Sequence, residues 1–374
     1  MTGAIHSNRL RDIQNFGQSV WLDELHRGML SHSQFKKWVA EDGVSGVTSN
    51  PTIFARAFAE DAAYAEPIAR LHADGADGRD VYERLSIDDV RTAADQLRKV
   101  YAQSERRDGY VSIEVAPRLA HDVAGTVAEG QRLFHQVDRP NVMIKVPSTD
   151  AGVAALRELI GLGINVNATL VFGTRRYKQV AEAYLLGLED RVAAGRPLAG
   201  IASVVSLFVS RIDTLVDRSL DAVQNSKAAR AQKLRGRTAV AVARLAYQEF
   251  KGFVAAPRWR SLAARHAQPQ RLLWASTGTK DPRYSDVKYI EELIGPDTVS
   301  TIPTKTLDAF RDHGKAAPVI ETGLLETASL PGELQVLGID LEQVAVQLEQ
   351  AGITAFAASM DAAIAQLEKS AASV

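Results

Sequence analysis

No cysteine occurs anywhere in this sequence. Disulfides, thiolate nucleophiles and Cys-ligated zinc or iron–sulfur centres are therefore excluded, and the composition suits a reducing, cytoplasmic compartment. An excess of either charge is also lacking: 44 Lys and Arg against 45 Asp and Glu leave a formal net charge of −1. No global pull toward nucleic acid or an anionic membrane follows, and neither is expected as a partner. Long hydrophobic runs are missing too. The most apolar stretch, 201–209, falls far short of the roughly 20 residues a membrane helix needs, and residues 1–13 are expected to carry no secretory signal. There is no His-x-x-x-His pair and no clustered Asp/Glu/His set, so neither a metal nor a cofactor is expected. Internal repeats and low-complexity segments are likewise absent.

What is present is an alternation. Short β-rich apolar runs stand at 19–23, 46–49, 111–115, 142–146, 164–170, 201–208, 272–276 and 299–303. Helical spacing fills 52–65, 88–106, 150–159, 175–194, 230–256 and 285–293. After the sixth run, Ile212, Leu215, Val216, Leu220 and Val223 fall on one helical face. Strands alternating with helices imply a parallel sheet covered on both sides. Eight such units favour an α/β (β/α)8 (TIM) barrel over an open doubly wound sheet. The expectation is one barrel domain over 1–374, with extra helices near 55–107, 224–266 and 316–374, the last including separate helices at 340–350 and 354–369. Residues 74–80 read as a surface linker.

Strands buried on both faces leave polar residues in need of a reason. Asp23 ends Val-Trp-Leu-Asp, Glu114 sits in Ser-Ile-Glu-Val, and Lys145 in Met-Ile-Lys-Val. Asn165, Asn167 and Thr169 share one face of the fifth run; Asn165 reads as structural. Ser206 and Phe208 share a face of the sixth, with Arg211 just beyond. A barrel gathers such groups at its C-terminal mouth. A desolvated lysine favours its neutral amine, which attacks a ketone to form a Schiff base, an electron sink for breaking the adjacent C–C bond.

These segments resemble the transaldolase family. The resemblance rests on Gly46-Val-Thr-Ser-Asn-Pro-Thr-Ile-Phe54, Met143-Ile-Lys-Val-Pro-Ser-Thr149, Gly163-Ile-Asn-Val-Asn-Ala-Thr-Leu-Val-Phe172 and Ser206-Leu-Phe-Val-Ser-Arg211, in order and in approximate register. It implies transfer of a dihydroxyacetone unit from sedoheptulose 7-phosphate or fructose 6-phosphate to glyceraldehyde 3-phosphate or erythrose 4-phosphate, within the non-oxidative pentose phosphate pathway. Carried onto matching positions, it implies that Lys145 forms the imine and that Glu114 and Thr169 hold the water that shuttles protons. Asp23 becomes the base for the C4 hydroxyl, Asn50 and Asn167 bind hydroxyls of the three-carbon unit, and Ser206 and Arg211 grip the phosphate. The family often carries a second phosphate-binding arginine behind an Ala-Ser pair after strand seven. Here the segment reads Ala275-Ser-Thr-Gly-Thr-Lys-Asp281, which puts Ser276 and Lys280 in that place. The tail after Pro303 and the insert at 224–266 suggest a longer bacterial subfamily, monomeric or homodimeric.

Rival readings stand beside these. Related fructose-6-phosphate aldolases carry tyrosine where Phe208 stands, and its hydroxyl positions water for early release; a phenyl ring favours transfer. A non-catalytic phosphosugar-binding barrel would keep Arg211 and lose the chemistry. Residue by residue, Asp23 is open to a helix-capping role, Glu114 to an ion pair with Arg118, and Thr48 and Ser49 to closing a turn. Arg175 and Arg176 read as solvated, and Phe356, on a terminal helix, is named for a lid contact.

Overall fold

The computed structural model describes residues 8–371. Eight strands close into a barrel in sequence order, every neighbouring pair parallel. They are β1 (Gln18–Leu22), β2 (Gly46–Val47), β3 (Tyr110–Glu114), β4 (Val142–Pro147), β5 (Val166–Val171), β6 (Ser203–Phe208), β7 (Arg271–Ala275) and β8 (Thr298–Ile302). Each apolar run read from the sequence overlaps one of them, with ends displaced by no more than two residues. Helices cover the sheet, so the strands are buried on both faces and rich in Val, Ile and Leu.

The helices differ more from expectation. The helix read at 230–256 is two, Ala228–Leu234 and Thr238–Ala255, parted where Gly236 adopts a left-handed φ of 66°. The linker at 74–80 is shorter than expected, because Asp77 accepts from the Asp80 amide and caps a helix starting at Gly78. The segment 285–293 holds only one helical turn, Lys288–Glu291.

The expected pair of terminal helices is one continuous helix, Leu341–Ala371. Gly352 looks like a break by propensity. It is instead a point of close approach: a Cβ there would lie 2.8 Å from Leu170 Cδ2, so glycine lets this helix lie against β5. The helix is fastened along its length. Glu349 pairs with Arg176 at 3.3 Å, Ser359 bonds Thr52 at 2.9 Å, and Glu368 accepts from the Gly78 amide at 2.9 Å.

Two local structures aim residues at the mouth. Asn50 is extended (φ −158°, ψ 168°), as a residue before proline must be. Pro51 starts the helix Pro51–Glu60, with Phe54, Ala57 and Phe58 on its buried face. The helix Val209–Asp221 follows β6 with no loop, and buries Ile212, Val216 and Leu220 as the spacing requires. Arg211 therefore sits in a first helical turn at the mouth, where backbone amides and dipole favour an anion.

Candidate active site

Parallel pairing sets the centre of the site. Glu114 on β3 is the register partner of Lys145 on β4, which is in turn the partner of Asn167 on β5. Three polar side chains thus stand abreast inside the barrel. Lys145 Nζ lies 3.3 Å from Glu114 Oε2, with side chains 4% and 3% exposed, and donates to the Ser49 carbonyl at 3.1 Å. Apart from this Lys145 contact, neither Glu114 oxygen has a hydrogen-bond partner. Burial pushes the Glu114 carboxyl above the ordinary carboxylate range, and the charge of Lys145 opposes the shift. Arg118 is not its partner.

Asn167 is held on both sides. It donates to Ser112 Oγ at 3.0 Å and accepts from Ser206 Oγ at 2.7 Å. Thr169, two residues on, is fully buried, and its hydroxyl has no partner. It precedes Leu170, whose φ of 61° is an outlier for a bulky residue, at a register shift between Ala168 and Val171. Such a bulge re-aims neighbouring side chains. Asn165 ties Pro140, Val142 and Ala202 together, away from the mouth.

Asp23 lies one residue beyond β1 and caps no helix. Its Oδ1 accepts from Thr48 Oγ1 at 3.0 Å, and Thr48 also bonds Thr301 at 2.8 Å. Burial raises the Asp23 pKa, against the lowering influence of Lys145 and the Thr48 bond. Thr48 and Ser49 are therefore more than turn residues: one orients Asp23, and the carbonyl of the other receives Lys145. Asn50 Oδ1 accepts from the Ile53 amide at 3.0 Å, and Asn50 lines the mouth.

Across the mouth, the Arg211 guanidinium stacks on Phe208 (5.2 Å from the ring centre) and on Phe356 (5.7 Å). It makes no ion pair with any described residue. Ser206 is buried on its bond to Asn167. Ser276 has a φ of 55° and shares a 2.9 Å hydroxyl contact with Ser210. Lys280 is exposed, in a groove beside Asp213, Asp217 and Asp281. Asp23, Asn50 and Arg211 line a mouth cavity of about 750 Å³, and Phe356 is part of its wall.

Phe356 belongs to the helix Leu341–Ala371. It is 2% exposed, with its ring 5.6 Å from Lys145 Nζ. One ring thus spans from the amine to the guanidinium. Arg176 is not solvated: it pairs with Asp150 at 2.6 Å and with Glu349 of the same helix, while Arg175 is exposed.

The family model described as transaldolase/fructose-6-phosphate aldolase matches residues 20–367. The chain belongs to this family. Among transaldolase/fructose-6-phosphate aldolase relatives, it is 47% identical over 360 residues to a transaldolase of Thiobacillus denitrificans, covering 96% of this chain and 99% of that one. It is 45% identical over 362 residues to transaldolase 1 of Streptomyces coelicolor, covering 96% and 94%. Transaldolase 2 of Nostoc punctiforme is 43% identical over 348 residues, covering 90% and 91%.

Within this family frame, the structure brings Lys145, Glu114, Asn167, Thr169, Asp23, Asn50 and Arg211 to one end of the barrel. Among the described residues no cluster of His, Asp and Glu is placed to hold a metal ion, and no helix is long and apolar enough to cross a membrane. Thr48, which the sequence suggests as a turn residue, instead orients Asp23, and its place in the same motif as Asn50 is the one signal of that role in the sequence.

Proposed function

We propose that this chain is a transaldolase that moves a dihydroxyacetone unit between phosphorylated sugars through a Schiff base on Lys145. The observation that carries the reading is the buried Lys145 amine, 3.3 Å from a carboxylate that no other protein donor satisfies. A structural ion pair would have its remaining lone pairs bonded; this one is left ready to exchange a proton.

Lys145 attacks C2 of fructose 6-phosphate or sedoheptulose 7-phosphate. Glu114, its carboxyl raised by burial, accepts in turn the two protons that the Lys145 ammonium sheds on becoming the iminium and passes both to the C2 oxygen, which leaves as water. Thr169 Oγ1, unpartnered and buried, holds that water. Asp23 removes the C4 hydroxyl proton, and the iminium takes up the electrons of the breaking C3–C4 bond. A raised carboxyl is the better base near neutral pH. Asn50 and Asn167 bind hydroxyls of the retained unit, and Ser206 fixes the Asn167 amide by its 2.7 Å bond. The unbonded Arg211 fork takes the phosphate, and Ser276 and Lys280, outside the mouth wall, are secondary contacts for it.

Transfer is favoured over release by the absence of a hydroxyl at Phe208 and by the Phe356 ring over the amine. Both exclude water from the enamine while it waits for the second aldehyde.

The test is borohydride trapping with fructose 6-phosphate, read by peptide mass spectrometry. A dihydroxyacetone-sized adduct on Lys145, lost when erythrose 4-phosphate is added before the borohydride, is the expected result. An adduct indifferent to the acceptor would make the chain an aldolase. Binding without any adduct would make it a non-catalytic barrel.

A further inference from the structure

A second cavity reaches Glu114, the acid of the lysine–glutamate pair, from the side. Its volume is about 240 Å³, and Glu114, Asn50, Tyr82 and Ser86 are among its lining residues. It lies between the end of β3 and the helices Pro51–Glu60, Gly78–Gln96 and Val123–Val137, with Met360 of the long helix closing one side. Glu114 lines this cavity and is not part of the wall of the mouth; Asn50 borders both. At the outer rim stand Arg79 and Arg118, both exposed and without an ion pair to any described residue.

Three observations converge on the inner end. Both Glu114 oxygens are buried and have no protein donor besides Lys145, 3.3 Å from Oε2, a costly arrangement for a carboxylate unless water supplies the remaining donors. The cavity has room for several waters, each taking about 30 Å³, and offers them polar partners. The Tyr82 hydroxyl bonds no described residue, and Tyr82 and Glu114 line the same small cavity.

We propose that this cavity is a water and proton port serving Glu114 and Lys145, distinct from the mouth through which sugar enters, with Tyr82 as the residue that positions water at its inner end. The inference rests on the Schiff-base reading. Imine formation joins Lys145 nitrogen to C2 and expels the C2 oxygen as one water, and hydrolysis takes one water back. At both moments a sugar phosphate fills the mouth under the Phe356 ring, so the mouth is a poor path for that water. A side port lets water cross beside Glu114 while the front stays closed to it, and so keeps the enamine dry.

Oxygen exchange tests this. Wild-type enzyme in H2¹⁸O is expected to exchange the C2 oxygen of fructose 6-phosphate above the no-enzyme rate. Tyr82→Phe, which keeps shape and removes one hydroxyl, is expected to slow this exchange and kcat by at least about fivefold with KM unchanged. Ser86→Leu, which fills the cavity, is expected to do the same. Should Ser86→Leu fail to fold, Tyr82→Phe decides alone. Exchange and kcat at wild-type values in the folded variants would overturn the port and leave the Schiff base standing. No enzyme-dependent exchange in the wild type would overturn the Schiff-base reading itself.

Discussion

The two ends of the barrel each bury a cation beside a carboxylate, and they treat the pair in opposite ways. At the N-terminal end, Arg271 opens β7 and donates to Ser19 Oγ (2.7 Å), the Arg107 carbonyl (2.6 Å) and Asp108 Oδ1 (3.0 Å). Asp108 also receives Trp21 Nε1 at 2.9 Å and Ser19 Oγ at 2.6 Å. At the C-terminal end, Lys145 has one carbonyl and a carboxylate 3.3 Å away, and that carboxylate has no donor besides the lysine itself. Burial alone therefore does not mark a reactive group. The number of hydrogen bonds left unmade does, because a satisfied pair is locked and an unsatisfied one can exchange a proton.

The widest separation between the ends should come from removing each cation. Lys145→Ala is expected to lower transfer activity by at least about 10⁴-fold with a small change in thermal midpoint, since the stranded Glu114 relieves its burial by taking a proton. Steady-state transfer assays and thermal melts read both quantities. Residual activity within tenfold of wild type would break the imine mechanism.

Arg271→Met should do the reverse. Asp108 would be left with a buried charge and no cation, a loss of about 3–5 kcal/mol in stability, while the active-site geometry some strands away persists. Denaturant unfolding should register the loss, and activity per borohydride-trappable site should stay at the wild-type level. A variant as stable as wild type would show that the bottom network is dispensable and would remove half of the contrast.

Much of the top was legible in the sequence and little of the bottom was. All eight strands stood out as short apolar runs, because a sheet buried on both faces leaves little freedom in composition. Lys145, Glu114 and Asp23 stood out because a charged residue in such a run is rare. Arg271 is equally out of place, but it opens its strand, where a charged residue looks like the edge of a loop. Its partner Asp108 is distant in sequence, and partners are what composition cannot display. The same gap hid the Thr48–Asp23 bond, the Arg176–Glu349 pair and the continuity of the helix Leu341–Ala371. In that helix a close approach to Leu170, invisible in one dimension, accounts for the glycine that suggested a break.

A smaller effect sharpens the comparison through pH. Burial raises the Asp23 carboxyl above its ordinary value of 3.8. The folded state then holds this proton more readily than the unfolded state, so stability falls as pH rises from about 3.8 through the raised value and stays lower above it. Asp23→Asn removes the charge, and at pH 7 its thermal midpoint is expected above wild type although transfer is lost. The gain should shrink as pH falls toward 3.8. Melts that place the variant at or below wild type at pH 7 would mean that Asp23 is a satisfied structural carboxylate, like those at the bottom.

The smallest effect concerns the two cations assigned to phosphate. Arg211 presents an unbonded planar fork, partly buried and backed by two aromatic rings, so its removal strips a desolvated partner from the phosphate. Lys280 is exposed and has Asp213, Asp217 and Asp281 lining its groove, so water and neighbouring carboxylates screen it. A lysine is also a point charge where an arginine is a fork. Arg211→Ala is expected to raise KM for phosphorylated donors by at least about tenfold, and Lys280→Ala by less than about fivefold, with kcat little changed in the second. Raising ionic strength should erase most of the Lys280 difference and little of the Arg211 difference, because salt screens exposed charges more than buried ones. If the two variants proved equal in KM, Lys280 would reach into the mouth when substrate binds, and the family's second phosphate cation would be fully replaced by lysine in this chain.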